Sequence, residues 1–118
     1  MAWIFDNDRP IYTQLLEQIE KRIISGEYPA GSRLPSVREL AMEASVNPNT
    51  MQRAMVELER SGLVVTNRTS GRTVTEDMET LKHLKDTKAI DYTKDYLGKM
   101  RELGYEDKQI VEWIKKGE

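Results

Sequence analysis

The stretch Ser36-Val-Arg-Glu-Leu-Ala-Met-Glu-Ala-Ser-Val-Asn-Pro-Asn-Thr50 decides the fold predicted for this chain. It begins like a capping box, in which the Ser36 hydroxyl and the Glu39 carboxylate each satisfy a free N–H group at a helix start. Asn47 then stands where an N-cap belongs and Pro48 where a first helical residue belongs, so a second helix is predicted after a tight turn. Two helices joined in this way are typical of a helix-turn-helix, whose second helix enters the DNA major groove.

Apolar residues in and just after this stretch predict one buried face on each helix. They recur at intervals of three or four residues, which places them on one side of an α-helix. In the first helix they are Val37, Leu40, Ala41 and Ala44, and in the second they are Met51, Ala54, Met55 and Leu58.

The second helix also has an outward face. At about 100° per residue, Asn49, Arg53, Val56 and Arg60 should point away from the apolar stripe, with Gln52 at its edge. The N-terminal end of a recognition helix lies nearest the base edges, so Asn49, Gln52 and Arg53 are the predicted base-reading residues. Outward Arg and Asn side chains are also common on helices that only face solvent.

The flanking sequence predicts a helix before this motif and a β-hairpin after it. Pro10 opens a helix with a 3.6-residue apolar period that ends near Ser25-Gly26. Leu63-Val-Val-Thr66 and Arg72-Thr-Val-Thr75 are rich in β-branched residues and are separated by turn residues. Residues 1–75 are therefore predicted to form a winged helix-turn-helix domain.

Residues 76–118 are predicted to form two helices: one that stops at Gly104, and one over about Glu106 to Lys116. The polar stretch Lys85-Asp-Thr-Lys88 should kink the first of them or shift its buried face. Two such helices cannot bury their apolar stripes against each other alone, so the tail should either dimerise or fold back over the winged domain. We expect a mainly α fold with a small β-hairpin, namely a winged helix-turn-helix followed by a two-helix C-terminal dimerisation segment. The predicted interface residues are Leu81, Leu84, Tyr92, Tyr96, Met100, Leu103, Ile110, Trp113 and Ile114.

Composition restricts the classes of function. The 118 residues contain no Cys, which excludes disulfides and thiolate metal sites. The chain start resembles no signal peptide and no segment is long enough to span a membrane, so we expect a cytoplasmic protein. The net charge of −2 is unusual for a DNA-binding protein. However, residues 1–75 carry nine basic and nine acidic residues, and the basic ones are mostly Arg, which suits phosphate and guanine contacts.

Residues 9–75 resemble the winged helix-turn-helix of GntR-type bacterial transcription regulators. A tail of two helices and the Asn-Pro-Asn-Thr form of the turn make the chain similar to the YtrA subfamily. The wing departs from the family, because Thr69-Ser-Gly-Arg-Thr-Val74 replaces the usual Gly-x-Gly-Thr-Phe-Val tip, although Gly71 should preserve the turn. The resemblance lies in Pro10-Ile-Tyr12, Leu34-Pro-Ser-Val-Arg-Glu-Leu-Ala41, Val46-Asn-Pro-Asn-Thr50 and Glu59-Arg-Ser-Gly-Leu-Val64.

The resemblance implies a homodimeric DNA-binding transcription regulator, and more finely a repressor that binds a palindromic operator, with control of a transporter operon suggested. It also implies a DNA contact for Arg38. Caps and first helical turns suit phosphate oxygens. Arg68 and Arg72 flank a turn with no nearby acidic residue, so they should contact either the minor groove or a phosphate, or else only solvent. The predicted DNA-binding residues are Ser36, Arg38, Asn47, Asn49, Thr50, Gln52, Arg53, Arg68, Gly71 and Arg72.

Two other classes of function make different demands on the sequence. A winged helix can be a protein-interaction module without DNA binding, which an acidic recognition helix would favour. An enzyme would need a phosphate loop, a nucleophile elbow or a His-containing triad, and this sequence has none of them. No catalytic residue, metal or cofactor is predicted. The sequence leaves open whether a small-molecule effector binds among Tyr92, Tyr96 and Trp113.

Overall fold

The computed structural model describes residues 2–117 and contains five helices and two strands. The chain divides into two compact units, the first ending at Lys82 and the second beginning at His83. The elements are α1 (Ile11–Ile24), α2 (Val37–Ala44), α3 (Pro48–Arg60), β1 (Val64–Asn67), β2 (Gly71–Val74), α4 (Met78–Glu102) and α5 (Asp107–Lys116).

The core of the first unit lies between the first three helices and the base of the hairpin. α3 packs against both α1 and α2. The predicted apolar faces are confirmed except at Val37, which is only half-buried. Burying each large apolar side chain contributes about 1.5–3 kcal/mol, so this shared core holds α3 firmly in place. The buried residues include Leu15, Ile19, Ile23, Leu40, Ala41, Ala44, Met51, Ala54, Met55 and Leu58.

Caps start α2 and α3 where the sequence predicts. The Ser36 hydroxyl accepts a hydrogen bond of 3.1 Å from the Glu39 N–H, and the Asn47 side chain accepts one of 2.8 Å from the Asn49 N–H. The predicted reciprocal bond of the capping box is wrong. The Glu39 carboxylate accepts instead from the Ser36 hydroxyl, at 3.1 Å, because that hydroxyl already lies over the helix start. Ser45, with a φ of 54°, ends α2 in the left-handed region.

The wing is an antiparallel hairpin, as predicted, with each strand placed within one residue of the predicted bounds. Its register pairs Val64 with Val74 and Asn67 with Gly71. The segment before α2 also runs beside β2. The Leu34 N–H donates to the Arg72 carbonyl at 2.9 Å, and the Val74 N–H donates to the Ser32 carbonyl at 2.9 Å. The hairpin is therefore fixed to the chain that enters α2.

Residues before α1 are tied to that helix by polar contacts. The Gln14 side-chain amide donates to the Asp6 carbonyl at 2.9 Å, and the Gln18 amide donates to the Ile4 carbonyl at 2.6 Å. The buried Arg22 guanidinium lies 3.6 Å from the centre of the Trp3 ring. Trp3 therefore packs on α1.

The second unit consists of the remainder of α4 and of α5. α4 continues as an α-helix through the polar stretch Lys85–Lys88, and Gly104, with a φ of 92°, follows its end as predicted. Two of the predicted interface residues pack within the chain. Ile110 is only 1% exposed, and Trp113 packs edge-to-face on Tyr105 with ring centres 6.0 Å apart. Ile110 is thus a core residue, since it has no exposed surface to offer a partner.

Other predicted interface residues remain accessible in the single chain. Leu81, Leu84 and Met100 are half-buried. The exposed ones are Tyr92, Tyr96, Leu103, Trp113 and Ile114. Over residues 2–117, no helix combines the length and apolar character required to cross a membrane.

Candidate nucleic-acid interface

The outward face of α3 is the centre of the candidate interface. Asn49, Gln52 and Arg53 are exposed, and Thr50 is half-buried beside them. The opposite face of α3 is buried against the core, which fixes the rotation of the helix and therefore the direction of these side chains. Val56, on the outward face, is 50% exposed and extends the surface with an apolar patch. The predicted outward orientation of α3 is confirmed.

The arginines of the first unit separate into two groups according to whether a carboxylate holds them. Four form salt bridges with glutamates: Arg9 with Glu17, Arg22 with Glu27, Arg60 with Glu57, and Arg72 with Glu59. Within residues 2–117 the other four form no salt bridge, so their guanidinium groups are available to an anionic ligand. They are Arg33, Arg38, Arg53 and Arg68.

Arg72 corrects the interpretation of the wing. The premise that no acidic residue lies near it is wrong, because the Glu59 carboxylate accepts a hydrogen bond from its Nε. Glu59 belongs to the last turn of α3 and is 13 positions away in sequence, so only the packing of the hairpin brings the two together. The Arg72 side chain is 24% exposed, and its salt bridge ties β2 to α3. Arg68, at the hairpin tip, is exposed and has no such partner among the described residues.

An open cleft of about 710 Å³ lies between the wing and the start of α2. The exposed Arg33 and the Ser36 cap lie on one side of it, and Thr66 and Gly71 of the wing lie on the other. The partial positive charge of the helix start and the full charge of Arg33 favour anions, while the Glu39 carboxylate at the cleft opposes them. The cleft therefore suits a phosphate group of a nucleic-acid backbone.

Arg53 has an aromatic neighbour that sequence reasoning missed. Its guanidinium carbon lies 4.4 Å from the centre of the Tyr12 ring. Tyr12 follows the apolar period of α1, and that period assigns it to the core rather than to the interface. The packing of α1 on α3 brings its ring beneath the guanidinium, and no local signal in either helix predicts this contact.

Arg60 is held within α3. Its guanidinium donates two hydrogen bonds to the Glu57 carboxylate, one of them 2.8 Å from Nε to Oε2. The hydrogen bond from Arg60 lowers the pKa of the Glu57 carboxyl. Arg60 thus contributes to the local structure of the helix end, although it lies on the same outward face as Arg53.

Nothing in the described part of the chain resembles a metal centre. No group of three or more His, Cys, Asp or Glu side chains in residues 2–117 is arranged to hold a metal ion. His83 is exposed on α4.

Comparison with known proteins agrees with this geometry. Residues 11–74 match the family model described as bacterial regulatory proteins, gntR family. The chain is 37% identical over 107 residues to the HTH-type transcriptional repressor YtrA of Bacillus subtilis, covering 90% of this chain and 82% of that protein. A GntR family transcriptional regulator from Listeria monocytogenes has a similar structure, with a TM-score of 0.88 and 40% identity over 95% of this chain and 98% of that one.

A protein solved in complex with DNA is also similar in structure to this chain. The DNA-binding domain of AraR, solved in complex with operator ORX1, is similar to this chain with a TM-score of 0.55 and 25% identity. The match covers 61% of this chain and 93% of that domain.

Proposed function

The chain belongs to the gntR family of bacterial regulatory proteins and is a transcription regulator with a DNA-binding domain, and we propose that it represses transcription as a homodimer on a palindromic operator. The resemblance to this family, and to its YtrA-type members, is confirmed. Its relatives are transcription regulators rather than enzymes, as the sequence predicts. Because chromosomal DNA is the proposed ligand, the proposal includes a cytoplasmic location.

The observation that supports this proposal most strongly is the distribution of the arginines without a carboxylate partner. Arg33 and Arg38 flank the start of α2, Arg53 lies on α3, and Arg68 lies at the wing tip. These are the elements that a winged helix-turn-helix presents to a duplex. YtrA is named a repressor and AraR was solved on an operator, which supports the same proposal.

We assign the contacts as follows. Arg53, Asn49 and Gln52 read base edges in the major groove, since Arg suits guanine and Asn or Gln suits adenine. Arg38 and the caps Ser36 and Asn47, with Thr50, position the sugar-phosphate backbone, and Arg33 joins them at the cleft. Arg68 contacts the backbone or the minor groove from the wing, and Gly71 maintains its turn.

Dimerisation through the second unit supplies the specificity that a single domain lacks. A few reading residues distinguish few base pairs, whereas two linked domains combine their contacts through effective concentration. The exposed Tyr96, Leu103 and Ile114 supply apolar surface for a second copy. Control of a transporter operon and a small-molecule effector remain the finer parts of the hypothesis, and identifying the bound operator comes first.

Selection of duplexes from a random pool by the full-length protein tests the proposal. We expect enrichment of an inverted repeat whose half-sites lie about one helical turn, or a multiple of it, apart. A protein that enriches no sequence would contradict DNA recognition and favour the protein-interaction alternative. An enriched sequence without twofold symmetry would contradict the homodimer instead.

Sedimentation of matched variants tests the dimer separately. Leu103 is 73% exposed in the second unit and Met42 is 74% exposed on α2, so each can be changed to Lys without disturbing a core. Leu103→Lys should shift the protein towards monomer, because it places a charge in the proposed interface, while Met42→Lys should leave the dimer unchanged. Equal behaviour of the two variants would show that Leu103 lies outside the interface.

A further inference from the structure

The contact between Tyr12 and Arg53 has a geometry that bears on base recognition. The guanidinium carbon of Arg53 lies over the Tyr12 ring, 4.4 Å from the ring centre. The hydrogen-bond donors of a guanidinium lie in its plane and point outward from its edge. A ring that packs on the guanidinium face leaves that edge free for a ligand, and Arg53 forms no salt bridge within residues 2–117.

The carboxylate best placed on α3 to form a salt bridge with Arg53 is paired with another arginine. Glu57 is four residues after Arg53 on α3, a spacing at which an Arg–Glu pair commonly forms on a helix. The structure pairs Glu57 with Arg60 instead, through two hydrogen bonds. Arg53 forms no salt bridge with any residue of 2–117, and the Tyr12 ring is what contacts its guanidinium. The two contacts together keep Arg53 ordered and uncompensated in charge.

We propose that Tyr12 is a specificity-determining residue, which positions the Arg53 guanidinium so that its edge donates two hydrogen bonds to O6 and N7 of a guanine. This inference rests on the proposed DNA-binding function and names one base class that the operator contains in each half-site. Guanine is the base whose major-groove edge offers two adjacent acceptors, which match the two donors of the guanidinium fork. Tyr12 itself touches no base.

The physical reason is pre-organisation. An unrestrained Arg side chain loses rotamer freedom when it binds, and that loss weakens the complex. The Tyr12 ring restrains the guanidinium before DNA arrives, and the cation–π attraction strengthens when the bound duplex excludes water. A phosphate contact tolerates a mobile cation, whereas a bidentate contact to one base requires a fixed plane. Loss of the ring should therefore affect the preferred sequence far more than unrelated DNA.

Binding measurements on Tyr12 variants test this inference. The probes are the duplex preferred by the wild-type protein, the same duplex with 7-deazaguanine at the candidate guanine, and a scrambled duplex. Tyr12→Leu should lose about five- to tenfold affinity for the preferred duplex and less than about twofold for the scrambled one. Tyr12→Phe keeps the ring and should remain within about twofold of wild type on both. In an Arg53→Ala background, Tyr12→Leu should have no further effect.

Several outcomes would overturn the inference. Equal losses on preferred and scrambled duplexes would indicate that Tyr12 only supports the fold. A loss with Tyr12→Phe as large as with Tyr12→Leu would assign the effect to the hydroxyl. An undiminished wild-type affinity for the 7-deazaguanine duplex would exclude the guanine N7 contact. If the wild-type protein enriches no duplex at all, the proposed function fails first.

A second measurement does not depend on DNA or on the stability of Tyr12→Leu. In the NMR spectrum of the free wild-type protein, ring currents from Tyr12 should shift the Arg53 side-chain resonances upfield. Tyr12→Phe should preserve the shift. Random-coil positions for these resonances in the wild-type protein would overturn the inference whatever the binding data show.

Discussion

Arg53 of the recognition helix and Arg72 of the wing are both predicted to bind DNA, but in the structure they have different partners. Arg53 of α3 lies over the Tyr12 ring and forms no salt bridge within residues 2–117, whereas Nε of Arg72 in β2 is bound to the Glu59 carboxylate. An aromatic partner orders a cation without neutralising it, while a carboxylate does both. The availability of an arginine for DNA therefore depends on what holds it, and a count of basic residues does not reveal this.

The largest expected effect in this comparison comes from Arg53→Ala. Loss of a bidentate base contact should cost about 1–3 kcal/mol on the preferred duplex, or roughly five- to 150-fold in affinity, and should relax one base position. Titration against preferred and scrambled duplexes measures it. Arg9→Ala is a matched control, because the Arg9 guanidinium is exposed but paired with Glu17. Equal losses on the two duplexes would remove Arg53 from base reading.

Arg38→Ala should weaken DNA binding without changing the sequence preference. Arg38 lies in the first turn of α2 and is assigned to the backbone, so its loss should weaken preferred and scrambled duplexes alike. The slope of log affinity against log salt should fall by about one unit, since about one fewer counterion is released. Affinities measured over a series of salt concentrations check this. A salt slope that stays unchanged would show that Arg38 contacts no phosphate.

Substitutions in the wing should have smaller effects on affinity, and these effects should differ between Arg68 and Arg72. Arg68→Ala should reduce affinity about two- to fivefold, through loss of one cationic contact, while Arg72→Ala should act mainly on stability. The Arg72–Glu59 pair is partly exposed, so its coupling should be about 0.5–1 kcal/mol in a double-mutant cycle with Glu59→Gln. Denaturant unfolding and DNA titration give the two readouts. A loss of affinity for Arg72→Ala that exceeds that of Arg68→Ala would return Arg72 to the DNA interface.

The smallest effect concerns the diversion of Glu57. In Arg60→Ala the Glu57 carboxylate loses its partner and can pair with Arg53 one turn earlier, which should weaken binding of the preferred duplex about two- to threefold. Adding Glu57→Gln should restore the affinity, because the amide carries no charge. If the double variant stays as weak as Arg60→Ala, then Arg60 itself contacts DNA.

Local signals in the sequence predict the helices and the hairpin well. Asn47 and Pro48 place the start of α3 because capping needs only neighbouring residues, and the stripe from Met51 to Leu58 sets its rotation because burial follows helical period. Local signals do not predict the contacts between elements. The pairs Tyr12–Arg53 and Glu59–Arg72, and the alignment of residues 32–34 with β2, all depend on how elements pack.

The C-terminal tail also shows that the sequence does not reveal which residues pack together. Its apolar period is equally consistent with internal packing and with a dimer interface, and the sequence alone assigned Ile110 to the interface. The structure buries Ile110 of α5 within the chain and leaves Leu103, just after α4, exposed, although both are large aliphatic residues. Which apolar residue lacks a partner is a property of the tertiary structure.

Parallel selection of random duplexes by wild type, Arg53→Ala and Arg72→Ala tests the central claim most directly, namely that arginines without a carboxylate partner contact the operator and that Arg53 among them reads its sequence. The account predicts the same inverted repeat for wild type and Arg72→Ala, and loss of one guanine preference in each half-site for Arg53→Ala. A base preference that disappears with Arg72→Ala and persists with Arg53→Ala would contradict it.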